Sequence, residues 1–143
     1  MSEYRLLDEV VTFAKRYSDD TSTQVGACVV IGDKKIFGTN RFYSIPEGES
    51  FETLNADKAK KYAHITHAEV DCINNAGDCR GGTLYVNYVC CDKCADAILQ
   101  AGIVKVVAID HMDDLDMVAR WNKYWIIGRA TLRANNIQLE EVK

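Results

Sequence analysis

The chain has 143 residues, 48% hydrophobic and 27% charged, the balance of one ordinary globular domain large enough to bury a core. Its 17 Lys and Arg against 21 Asp and Glu give a formal charge of −4. That argues against a nucleic-acid partner, which wants a basic face, but not against a small anionic substrate held by one or two local cations. The longest apolar runs, such as residues 106–109, are too short to cross a membrane, and residues 1–5 carry no apolar signal core, so the cytoplasm is the expected compartment.

Residues 3–17 predict a helix, with Leu6, Leu7, Val10, Val11 and Ala14 on one face. Turn residues at 18–22 break it. Residues 25–31 read as a strand, Gly32-Asp33 as a two-residue hairpin turn and 35–38 as the returning strand. Residues 39–61 read as a long polar loop holding the only proline, Pro46; such a length in a compact domain is functional or mobile. A helix follows at 67–75, then a strand at 84–89, a helix at 91–101 and a strand at 103–109. A long helix at 113–134 contains Trp121 and Trp125, and a last short strand spans 137–142. Strands alternating with helices predict an α/β sandwich, its sheet mixed because the first hairpin is antiparallel. The crossover helix before the last strand excludes a tight hairpin, so that strand is predicted to lie parallel to the one before it, at a sheet edge.

The six cysteines, Cys28, Cys72, Cys79, Cys90, Cys91 and Cys94, are expected to be reduced, which favours metal binding or burial over disulfides. Cys91 and Cys94 stand three apart, one turn of the same helix face. His67, at the start of the preceding helix, completes a nitrogen-and-thiolate set of the type zinc prefers. Both groups stand at predicted helix N-termini, where the dipole favours thiolates. With no fourth protein ligand evident, the set reads as an open, catalytic zinc site. Glu69, two residues past His67, reads as a base beside the metal. Two other readings of C-x-x-C stand beside this one. One is a redox pair, which an H-x-E helix does not usually accompany; the other is a structural zinc site, with Cys90 or Cys72 as fourth ligand. His64 and His111 read as surface or packing residues, and Cys28, Cys72 and Cys79 as small buried ones.

His67-Ala68-Glu69 followed by Cys91-x-x-Cys94 resembles the signature of the zinc-dependent cytidine and deoxycytidylate deaminase superfamily. The flanking residues Ser18-Asp19, Thr23-Gln24-Val25-Gly26-Ala27, Lys61-Tyr62, Leu84-Tyr85-Val86 and Gln100-Ala101-Gly102-Ile103 resemble the deoxycytidylate (dCMP) branch. The resemblance implies a three-layer α/β/α sandwich with a mixed five-stranded sheet, one deaminase domain over 1–143, and assembly into a homo-oligomer. It implies one zinc ion held by His67, Cys91 and Cys94, with Glu69 as proton shuttle. The N–H of Ala68 would bind the pyrimidine carbonyl, the carbonyl of Val89 would accept from the exocyclic amine, and Asn40 would contact base or sugar. The implied reaction is hydrolysis of dCMP to dUMP and ammonia. Other or modified cytosine nucleotides or nucleosides are the alternative substrates, ahead of a tRNA adenosine deaminase or a silent zinc scaffold.

The chain departs from the branch at Cys90, where the family has proline, at Asp71, where it has asparagine, at Arg41, where it has glycine, and over residues 113–125. These departures leave the substrate and any regulation by nucleoside triphosphates open. Cys90 and Cys94 also share a helix face, but Cys91 keeps the C-x-x-C spacing. The cavity mouth is expected along residues 39–63, with Arg41, Lys58, Lys60 and Lys61, and along Thr21-Ser22-Thr23. Arg41 is the expected phosphate ligand, because a guanidinium binds phosphate in bidentate fashion, whereas the three lysines read better as a solvated face.

Overall fold

Leu6, Leu7, Val10 and Ala14 form the buried face of the first helix, α1 (Glu3–Tyr17). The computed structural model describes residues 3–143; Met1 and Ser2, part of the stretch read for an export signal, lie outside the described residues. β1 (Gly26–Ile31) and β2 (Lys34–Thr39) pair as a hairpin with Ile31 opposite Lys34. Gly32 takes φ +57° there, the positive angle that a tight two-residue turn requires.

The stretch 39–61 is not the loop that its polarity suggests. It holds β3 (Arg41–Phe42), α2 (Phe51–Ala56) and the start of α3 (Lys58–His64); β4 (Ile65–Thr66) follows and pairs with β3. Ser50 and Thr53 form a reciprocal capping box at the head of α2, and the Asp57 side chain accepts from Lys60 N–H at the head of α3. Each helix buries one residue, Leu54 and Lys61 respectively, so neither carries a helical apolar period that could announce it.

The rest follows the predicted order: α4 (Ala68–Ala76), β5 (Thr83–Val86), α5 (Asp92–Gln100), β6 (Lys105–Ile109), α6 (Leu115–Ala134) and β7 (Gln138–Val142). The sheet order is β2-β1-β5-β6-β7. β1 is antiparallel to both neighbours, while β5, β6 and β7 run parallel through the crossover helices α5 and α6. The last strand is therefore parallel and at an edge, the arrangement predicted for it and one that the crossover length permits.

Helices cover both faces of the sheet. Ala27, Val29, Leu84, Val86, Val106 and Ala108 form one core with Ala68 and Cys72 of α4, Ala95 and Ile98 of α5, and Trp125 and Leu132 of α6. Alternation turns Cys28 and Val107 to the opposite face, beneath α1. β5 is shorter than the predicted strand at 84–89. At Asn87 the backbone N–H makes a last, long bond to Gly26 O at 3.4 Å, and the side chain accepts from Gly26 N–H at 2.9 Å and donates to Gln24 O at 3.0 Å. Residues 88–91 are thereby released from the sheet toward the head of α5.

Candidate active site

α4 and α5 begin side by side at the ends of the strands. His67 is the N-cap of α4 and Cys91 the N-cap of α5, and neither side chain caps its own helix. Both are free to point at a shared centre. His67 Nδ1 lies 3.2 Å from Cys94 Sγ and 3.6 Å from Cys91 Sγ, and the three donor atoms lie within 4.8 Å of one another. A tetrahedral zinc with ordinary bond lengths would set nitrogen and sulfur about 3.6 Å apart, so the donor set fits such an ion. Among the described residues this is the one His/Cys/Asp/Glu cluster able to hold a metal. Cys90 is not part of it; its thiol is buried, and burial pushes its pKa upward.

The two thiols differ. Cys91 is pulled down to about 4, first by the hydrogen bond with Cys94 and then by that with His67, against the effect of burial. Cys94 is pushed up, first by Cys91 and then by burial. The pair thus carries one ready thiolate, the form that ligates metal. His67 is raised, chiefly by its hydrogen bond with Cys91. Glu69 sits on the first turn of α4, only 4% exposed, and burial pushes its carboxyl above the ordinary range while His67 opposes the shift. A carboxyl shifted toward neutrality suits an acid–base role.

His67, Glu69 and Cys91 line a cavity of about 530 Å³, with Cys94 buried behind them. Ala68, Val89 and Asn40 line it too. Asn40 is held in place: its Nδ2 donates to Thr23 O at 2.7 Å, and its Oδ1 accepts from Val25 N–H and from Ser18 Oγ. Tyr88, at the rim, stacks on His111 with ring centroids 4.2 Å apart, so His111 packs as the sequence suggests.

Of the four cations expected at the mouth, only Lys58 lines the cavity. Arg41 does not. Its Nε lies 3.6 Å from Asp71 Oδ2 and its guanidinium lies over the Tyr17 ring, so a buried carboxylate and an aromatic face have taken it from the expected phosphate site. Lys60 pairs with Glu49 at 2.9 Å. Lys61 is not a solvated lysine: it is 1% exposed and pairs with buried Asp20 at 3.1 Å. Asp20 also accepts from Ser22 and Thr23, which fixes the loop that borders the cavity near Asn40.

Sequence reasoning missed one wall of the cavity. Met117, Arg120, Trp121, Tyr124 and Trp125 of α6 form it, and Tyr62 of α3 meets Trp121 edge-on at 5.6 Å. Their i, i+3 and i+4 spacing was a visible signal, but an aromatic stripe of this kind is also what a core helix shows.

The MafB19-like deaminase family model matches residues 1–141. The chain belongs to this deaminase family. Over 106 residues it is 35% identical to the deoxycytidylate deaminase of Mus musculus, a match covering 68% of the chain and 59% of that relative. The chain thus spans about three-fifths of that relative's length. An uncharacterized deaminase of Aliivibrio fischeri is 33% identical over 108 residues, covering 75% of the chain and 71% of the relative. The fold is that of the dCMP deaminase of cyanophage S-TIM5, solved with dCMP and dUMP: TM-score 0.71, 20% identity, 98% of this chain and 96% of that one. Among the described residues no helix is long and apolar enough to cross a membrane.

Proposed function

We propose that the chain is a zinc-dependent hydrolase that converts dCMP to dUMP and releases ammonia. The observation that carries this reading is the convergence of His67, Cys91 and Cys94 on one centre, at a cavity that buried Glu69 also lines. The deoxycytidylate deaminases among its relatives support the choice of substrate.

One zinc ion per chain would be held by His67, Cys91 and Cys94 and would supply a Lewis acid that lowers the pKa of water toward about 7. Ala68 N–H, in the first turn of α4, would donate to the pyrimidine carbonyl. The Val89 carbonyl would accept from the exocyclic amine, and Asn40 would hold the sugar or base. Glu69 would take a proton from the attacking water and deliver protons to the ring nitrogen and the amine. Water adds at the carbon bearing the amine, the carbon–nitrogen bond breaks and ammonia leaves. The reading includes a single deaminase domain over residues 1–143, a homo-oligomer and a cytoplasmic location, with no nucleic-acid partner.

Ammonia release from cytosine, cytidine, deoxycytidine, CMP, dCMP and dCTP tests the reading. The expected outcome is turnover of dCMP above all others by the zinc-loaded protein. Preference for another member of the set would reassign the substrate, and no turnover of any would overturn the deaminase reading.

A further inference from the structure

The cavity wall is richer in free cations than its surroundings. Lys58, Lys93, Arg120 and Lys123 all line it, and none of them forms an ion pair among the described residues. Most other cations near the site are committed, Arg41 to Asp71, Lys60 to Glu49 and Lys61 to Asp20. The acids in the wall are Asp20, Glu69 and Asp92, and Asp20 is already neutralised by Lys61. An acidic chain that leaves four cations unpaired around one cavity has a local preference for an anion.

The four are not equivalent. Lys93 stands between the two cysteines, and its charge acts on His67, so it belongs to the reacting end. Arg120 and Lys123 are three apart on α6 and therefore neighbours on one helix face. α6 touches the backbone of Cys90, beside the cysteine pair, at Gly128. Arg120 lies two turns back from that contact, ~12 Å along the helix axis. In a mononucleotide the phosphate and the ring carbon that loses its amine are likewise at opposite ends. Arg120 Nη2 donates to the Met117 sulfur at 3.0 Å, its one hydrogen bond among the described residues, so its guanidinium keeps donors for a ligand. The indole N–H of the adjacent Trp121 is buried with no hydrogen-bond partner, and an anionic oxygen would satisfy it.

We infer that α6 carries the 5′-phosphate clamp of this site, with Arg120 as the principal ligand, Lys123 beside it and the Trp121 indole as a further donor. This inference rests on the dCMP reading above and moves the specificity contact from Arg41 to Arg120.

Steady-state kinetics of dCMP and deoxycytidine on the zinc-loaded protein test it. Arg120→Ala should raise KM for dCMP roughly tenfold or more, the loss expected for a charge-assisted pair, and by a much larger factor than it changes KM for deoxycytidine. Arg120→Lys should fall between, since it keeps the charge and loses the fork. Both tryptophans of the chain line the cavity, so their quenching reports binding without turnover. The native protein should bind dUMP at least tenfold more tightly than deoxyuridine, and Arg120→Ala should bind the two alike. A dCMP KM within twofold of native in Arg120→Ala would overturn the clamp and leave the deaminase reading standing. A dUMP preference that depends on Arg120, without deamination, would overturn the deaminase reading and leave the clamp. No preference for dUMP in the native protein would overturn the clamp outright.

Discussion

Glu69 and the three metal-set residues occupy adjacent positions but answer to different physics. His67, Cys91 and Cys94 present donor atoms within 4.8 Å of one another, whereas Glu69 is held out of water on the first turn of α4, just after the N-cap position of His67. Metal retention and proton transfer are therefore separable. Glu69→Gln keeps the shape of the site and removes the acid–base group. It should retain one zinc per chain and lose turnover by about two orders of magnitude or more. Cys94→Ser should lose the metal, and Cys90→Ala should keep it, because the Cys90 thiol is buried outside the cluster. Metal analysis of the three purified variants checks this. Retention of zinc by a Cys91→Ala variant together with its loss from Cys90→Ala would shift the ligand register by one.

The position of α6 decides the shape of the cavity, and one glycine sets that position. A β-carbon at Gly128 would collide with the carbonyl oxygen of Cys90, which is backbone and has nowhere to go. The helix can pack against the cysteine loop only because no side chain stands there. Gly128→Ala should lift α6 from that loop and cost about 1–3 kcal/mol of stability, as overpacking does. Because Trp121 and Trp125 line the cavity on this helix, their emission should also shift. Denaturant unfolding and fluorescence of the variant measure both effects; native values for both would mean that the contact is not a tight one.

At the scale of the whole molecule, the metal set joins two helices that the chain separates by a strand. His67 heads α4 and Cys91 heads α5, and both helices pack on the same sheet face. A ligand bound by the native state alone stabilises it by mass action, by about 2.7 kcal/mol when free ligand stands at 100 times its dissociation constant. Chelation should therefore lower Tm by several degrees in the native protein and leave Cys94→Ser unmoved. An identical melting curve with and without chelator would show that no metal couples the two helices.

What local pattern can encode was legible in the chain. The apolar stripe of α1, the Gly32-Asp33 turn, the long crossover before β7 and the H-x-E and C-x-x-C spacings each concern neighbours in sequence, and each appears in the fold. The fates of the charges were not legible, because a charge is assigned by partners far along the chain. Lys61 is buried by Asp20, 41 residues away, and Arg41 of β3 is taken by Asp71 of α4. The two short helices after Pro46 bury one residue each and so lack a period to detect. The aromatic and cationic wall of α6 was visible as a stripe, but only packing shows that part of it faces a cavity rather than the core. Sequence by itself determined the five strands of the main sheet, the four longer helices and the metal-type donor set, since these are written in short-range spacing. Tertiary structure decided which cations stand free beside that set, since this depends on which carboxylates the fold brings within reach.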